Sequence, residues 1–127
     1  MSPEHTPKKL KLTFCAGVGT VTGANFLLED QIGEQSKKFL IDCGLTQGTK
    51  LADDVNWAPF AYTPSEIDIL FITHAHIDHI GRIPKLYADG FRGRIISTLP
   101  TMDITRPMLL DTVNILGREA EHDLHTI

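Results

Sequence analysis

The sequence is short of several things, and each shortage narrows the reading. No apolar run approaches the ~20 residues that a membrane-spanning helix needs, so no helical span is expected. Basic residues are not in excess: 12 Lys and Arg stand against 16 Asp and Glu, for a net charge of -4. A broad nucleic-acid footprint is therefore missing, and any polyanion must be held by local patches or by a metal. Only two cysteines occur, Cys15 and Cys43, without CxxC spacing. They read as buried free thiols of a reducing compartment rather than a disulfide. Internal repeats, low-complexity tracts and an inter-domain linker are absent. Residues 1–9 read as a flexible polar tail; the stretch to Lys11 lacks the apolar centre of a signal peptide, and a cytoplasmic location is expected. What remains is ordinary: 127 residues, 42% apolar and 22% charged, enough for one small domain with a core.

Taken in order, the chain alternates strand and loop. Lys11–Ala16 reads as a first strand, followed by the Gly-rich stretch from Gly17 to Gly23. That stretch has the glycines of a phosphate loop, but no lysine follows and no helical pattern opens. A connection between antiparallel strands is the better account. Ala24–Glu29 and Lys38–Asp42 read as further strands, joined by a longer polar hairpin loop over residues 30–36. Leu45–Pro59 reads as loop with one helical turn, and Trp57, Phe60 and Tyr62 as its packing anchors. Pro64-Ser65-Glu66 turns into a strand over Asp68–Ile72. A short helix over Arg82–Gly90, with Pro84 in its first turn or a start as early as Asp78, a strand over Arg94–Thr98 and a long helix from Pro100 complete the pattern. On the last helix Leu109, Val113, Leu116 and Ala120 share a face, and Pro107 implies a kink or a late start.

One stretch stands apart. Thr73-His74-Ala75-His76-Ile77-Asp78-His79-Ile80-Gly81 holds three of the six histidines and a carboxylate, directly after an apolar strand. Neutral imidazole and carboxylate suit a borderline ion such as zinc. A histidine pair two apart can turn both rings to one ion, while the Asp and His just beyond can reach a second. Two such ions roughly 3.5–4 Å apart can clamp a phosphoryl or carbonyl oxygen and activate a water. Asp78 can alternatively act as a general base. Upstream, Asp42-Cys43-Gly44 ends a buried strand. There Asp42 is either a turn-former before glycine or a carboxylate that stands behind a metal-bound histidine and orients it.

The stretch matches the HxHxDH signature and resembles the metallo-β-lactamase superfamily. Further blocks carry the resemblance: Phe14 to Asn25, Leu40 to Gly48, Pro64 to Asp68, and His79 to Leu86. Together they look like the β-CASP branch, RNA-processing nucleases related to the cleavage-and-polyadenylation endonuclease. The resemblance implies that His74 and His76 bind one zinc and that Asp78 and His79 bind the other. It implies that Asp42 supports the loop from behind, and that the reaction is metal-dependent hydrolysis of an RNA phosphodiester. Other ester, thioester or lactam substrates, or a non-catalytic metal- or partner-binding role, are the alternatives.

The family pattern also needs a third histidine at the first zinc, an aspartate bridging both ions, and a further histidine at the second. His122 and His125, three apart in a polar tail, do not fit those roles. Residues 10–127 are therefore expected to form the N-terminal half of an αββα domain: an α/β (α+β) arrangement of one mainly antiparallel or mixed sheet with flanking helices. Two protein ligands per zinc and little catalysis alone are expected. So is an exposed sheet face that a second copy or the missing C-terminal half would cover. Arg82, Lys85, Arg92 and Arg94 near the loop read either as phosphate contacts or as solvated charge.

Overall fold

A computed structural model describes residues 8–16, 22–48 and 52–120, with side chains described except at 52–53 and 115–120. Strand β1 (Lys8–Ala16) pairs antiparallel with β2 (Asn25–Ile32), and β2 with β3 (Gln35–Ile41). Helix α1 (Ala52–Trp57) and a 3-10 turn (Pro64–Glu66) lie in the crossover to β4 (Ile69–Phe71), which runs parallel to β3. Helices α2 (Ile77–Ile80) and α3 (Ile83–Ala88) then lead to β5 (Arg94–Ile96), parallel to β4, and the long α4 (Leu99–Ala120) follows. The five strands form one mixed sheet in the order β1-β2-β3-β4-β5.

Cross-strand partners share a face, so the register sorts the side chains. Leu27, Leu40 and Leu70 form one row and are buried with Ile80, Ile83, Leu86 and Phe91. This is the core, with α2 and α3 as its lid. The opposite face carries the row Phe14, Phe26, Ile41, Phe71, Ile96 and beside it Leu12, Leu28, Phe39, Ile69. Phe14 and Phe26 meet edge to face at 5.8 Å, yet Phe14 is 60% exposed and Leu12 50%. Apolar faces this broad are rarely left open to water on monomeric proteins and usually mark an interaction surface.

Several boundaries differ from the sequence reading, each for a local reason. β1 begins at Lys8, inside the stretch read as tail, because Lys8 and Lys9 pair with Ile32 and Gln31. The connection over residues 30–36 is not a long loop: β2 and β3 pair up to Ile32 and Gln35, leaving only Gly33-Glu34 as the turn. Gly33 has φ 59, the conformation that a two-residue hairpin takes with glycine first. The helix expected over Arg82–Gly90 is α3, with Pro84 in its first turn; it does not reach back to Asp78, because the ladder is broken at Gly81-Arg82. Pro84 has no N–H to continue the ladder, and the Arg82 N–H turns away to the Cys43 carbonyl, 2.9 Å. Gly90, at φ 117, follows the last helical residues as its stop. The last helix starts at Leu99, capped by Thr98, and passes through Pro107 rather than starting there. Phe60 and Tyr62 do pack against the core, stacked at 5.2 Å, whereas Trp57 is exposed. His122 and His125 lie outside the described residues, as do Gly17 to Val21 of the Gly-rich stretch.

Cys15 and Cys43 are free, the second fully buried. Burial pushes the Cys43 thiol up to about 12, since a thiolate there would lose its water. The folded value lies above the ordinary 9.0. The contribution of the neutral thiol to stability is therefore whole below pH 9.0 and is lost as pH climbs through about 12. Urea unfolding at a series of pH values should show stability falling above pH 9.0, with Cys43→Ala removing part of that slope; equal slopes in both proteins would contradict the assignment. For the open face, Leu12→Glu should change stability by less than about 0.5 kcal/mol while reducing binding of an apolar dye. A large loss of stability would mean that the face is packed.

Candidate metal centre

Parallel pairing of Ile41 with Phe71 brings the carboxyl ends of β3 and β4 side by side, the place where open α/β sheets put their ligands. Asp42 leaves β3 there. Its N–H donates to the Phe71 carbonyl, 2.8 Å, and its φ is 61, a left-handed conformation that no other non-glycine residue adopts among the described residues. Such a backbone costs about 1–3 kcal/mol and persists only where its surroundings enforce it. This is the bend that the turn reading of Asp42 expects. The bend turns the side chain, 2% exposed, toward the metal loop.

There the carboxylate gathers three donors. Oδ1 accepts the Thr73 N–H at 2.8 Å, and Oδ2 accepts the Thr73 hydroxyl at 2.6 Å. Oδ2 also lies 2.7 Å from Nδ1 of His79. An ionised carboxylate only accepts, so His79 carries its proton on Nδ1. The single hydroxyl proton of Thr73 goes to Asp42, so Thr73 Oγ1 accepts from His74 Nδ1, 3.1 Å away. One buried carboxylate therefore sets the tautomer of two imidazoles, directly for His79 and through Thr73 for His74. Both are left with Nε2 as the free donor, the arrangement that metal-binding histidines use.

The loop is clamped by its own backbone. α2 is a single turn, and its carbonyls would be orphaned without partners. Leu45 N–H donates to Ile77 O at 3.1 Å, Ala24 N–H to Asp78 O at 2.9 Å, and Cys43 N–H to His79 O at 2.8 Å. The approach is so close that a Cβ at Gly44 would overlap the Asp78 carbonyl. Glycine is required there by contact, not by its φ.

His74, His76, Asp78 and His79 meet in this frame. The rings of His74 and His76 are 4.8 Å apart and those of His74 and His79 3.8 Å. Nε2 of His79 faces Asp78 Oδ2 at 3.3 Å. With the proton of the ring held at Nδ1, that leaves two lone-pair groups facing each other, a placement that a cation or an extra proton relieves. The donor set, imidazole and carboxylate, fits zinc on this ground. Among the described residues no group of three or more His, Cys, Asp or Glu side chains is arranged to hold one ion.

Most of the nearby basic residues are committed to the fold rather than free for phosphate. Arg82 is buried and donates through Nε to Gly44 O at 2.7 Å, its guanidinium 5.0 Å over the Phe60 ring. Lys85 pairs with Asp89 and lies 4.3 Å from the centroid of the same ring. Arg92 donates to the carbonyls of Tyr87 and Phe91. Arg94 is exposed on β5. The positioning roles of Thr73 and Gly44 carry no signal in residue spacing; the Gly-rich exit of a strand beside an Asp was the only trace of either.

This geometry, two parallel strand ends presenting a carboxylate-backed histidine loop, agrees with what the comparisons show. The model of the Metallo-beta-lactamase superfamily matches residues 21–91, and the chain belongs to that superfamily. Among proteins it resembles, Ribonuclease TTHA0252 of Thermus thermophilus is 40% identical over 80 residues, 63% of this chain and 18% of that protein. Transcription termination factor FttA of Methanosarcina mazei is 32% identical over 88% of this chain and 17% of its own length. Cleavage and polyadenylation specificity factor 73 of Drosophila melanogaster is 34% identical over 87% of this chain and 16% of its own. The chain thus spans less than a fifth of each of these relatives.

Two substitutions test the clamp. Gly44→Ala should destabilise by about 3 kcal/mol or prevent folding, since neither backbone can give way. Asp42→Ala leaves three donors unpaired and should lower zinc affinity about 10–100-fold. Urea unfolding and zinc titration read these out; a Gly44→Ala protein of unchanged stability would refute the contact.

Proposed function

We propose that this chain is the ligand-bearing first part of a zinc-dependent hydrolase that cleaves RNA phosphodiesters. The observation that carries the reading is the pair of imidazoles whose Nδ1 protons are held by Asp42 and Thr73, with Asp78 beside the free nitrogen of His79. His74 and His76 would hold one zinc, and Asp78 and His79 the other. The bound ions would supply Lewis acidity to the phosphoryl oxygen and to a water. The protein's own part is orientation: Asp42 keeps the rings from turning, and Asp78, 22% exposed at its side chain, is open enough to receive a proton as general base.

RNA as substrate is supported by the resemblance to a ribonuclease, a transcription termination factor and a cleavage and polyadenylation factor. With two donors per ion and a chain that covers less than a fifth of these relatives, turnover by these residues alone should be weak. A partner for the open sheet face, a second copy or the remainder of a longer protein, belongs to the same reading. A cytoplasmic setting does too, in keeping with two unpaired thiols. No helix among the described residues is long and apolar enough to cross a membrane.

Zinc titration followed by parallel assays on labelled RNA, a thioester and a β-lactam tests the proposal. The expected result is zinc binding that depends on His74, His76, Asp78 and His79, with any hydrolysis confined to RNA. Hydrolysis of the thioester or lactam in preference to RNA would overturn the substrate, and zinc binding insensitive to those four residues would overturn the centre.

A further inference from the structure

Asp42 needs its peptide as well as its carboxylate held, and the grip on that peptide comes from residues the metal loop does not contain. The Asp42 carbonyl accepts from the side-chain amide of Asn25, Nδ2 at 2.8 Å. The Oδ1 of that amide in turn lies 3.0 Å from the Tyr62 hydroxyl. Asn25 is 1% exposed and Asp42 2%, so water does not compete. We propose that Asn25 and Tyr62 are positioning residues: they hold Asp42 in its left-handed bend and through it set the ring orientation of His79.

The donor logic leaves one arrangement. A carbonyl only accepts, so the NH2 of Asn25 must point at Asp42; its Oδ1 then faces Tyr62, and the phenol must donate. If the amide flipped, its oxygen would meet the Asp42 carbonyl, acceptor against acceptor. Tyr62 is itself held: its ring stacks on Phe60 at 5.2 Å, over which Arg82 and Lys85 lie at 5.0 and 4.3 Å. Burial raises the Tyr62 hydroxyl well above the ordinary phenol value, so it remains a donor at any working pH. A path of hydrogen bonds thus runs from Tyr62 through Asn25 to the Asp42 peptide and out through its carboxylate to His79. With the Asp42 N–H on Phe71, all the polar groups of that residue are engaged.

Asn25→Asp separates positioning from packing, because it keeps the shape and replaces the donor with an acceptor. Tyr62→Phe keeps the ring and removes only the hydroxyl, so it decides the matter if the first variant does not fold. The first readout is the pair of ring-nitrogen resonances of each histidine in the metal-free chain, which does not depend on zinc. In both variants the His79 signals should move toward a mixture of tautomers while those of His76 stay in place. The second readout is zinc affinity, expected to fall about 10–100-fold for Asn25→Asp and by less for Tyr62→Phe.

Only the second readout rests on the proposed zinc centre. Altered His79 signals with no zinc binding in any version would sink the centre and leave the positioning role standing. Unchanged His79 signals in the folded variants, or equal movement of all the histidines, would overturn the positioning role itself.

Discussion

The site depends on one buried carboxylate. Asp42 sits in a backbone conformation that an L-residue avoids, and its surroundings repay the strain with hydrogen bonds at every polar atom. Charge-assisted bonds of this kind, in a place water does not reach, are among the stronger ones a fold makes. Remove the carboxylate and the loop loses more than a contact. Thr73 loses the acceptor of both its N–H and its hydroxyl, His79 loses the acceptor of its Nδ1 proton, and the Thr73 hydroxyl beside His74 is no longer held.

The sheet makes that meeting possible. β3 and β4 are parallel, so both release their chains at the same edge, and Asp42 and Thr73 emerge as neighbours though 31 residues separate them. The one-turn α2 is too short to satisfy all its own carbonyls, so it leans on residues 24, 43 and 45. That dependence brings the backbone of Asp78 against Gly44, leaving no space for a side chain. The ligands are therefore presented by a rigid frame, as a preorganised centre requires. The other face of the same sheet is apolar and partly open to water.

Much of this was legible from residues alone, and the reasons for the rest are physical. The histidine loop is conspicuous because its ligand types and spacing have few other uses. The core row of Leu27, Leu40 and Leu70 was not legible, because it is set by the register of three strands. Asp42 was ambiguous, since an Asp before glycine makes turns equally well, and only the resemblance tipped the balance; in the structure it bends the chain and its carboxylate lies 2.7 Å from His79. Thr73, Asn25 and Tyr62 were silent, because their roles arise from juxtaposition across the sheet and not from local pattern. The Gly33-Glu34 turn was hidden among polar residues that form long loops as readily, and the break at Gly81-Arg82 depends on a long-range bond to Cys43.

The central claim is that one carboxylate orients two imidazoles, and it can be tested without any metal. Long-range nitrogen–proton spectra of the unmodified chain report the tautomer of each ring. His74 and His79 should both carry the proton on Nδ1. Finding it on Nε2 of His79 would contradict the account, because the bond to Asp42 would then have no donor.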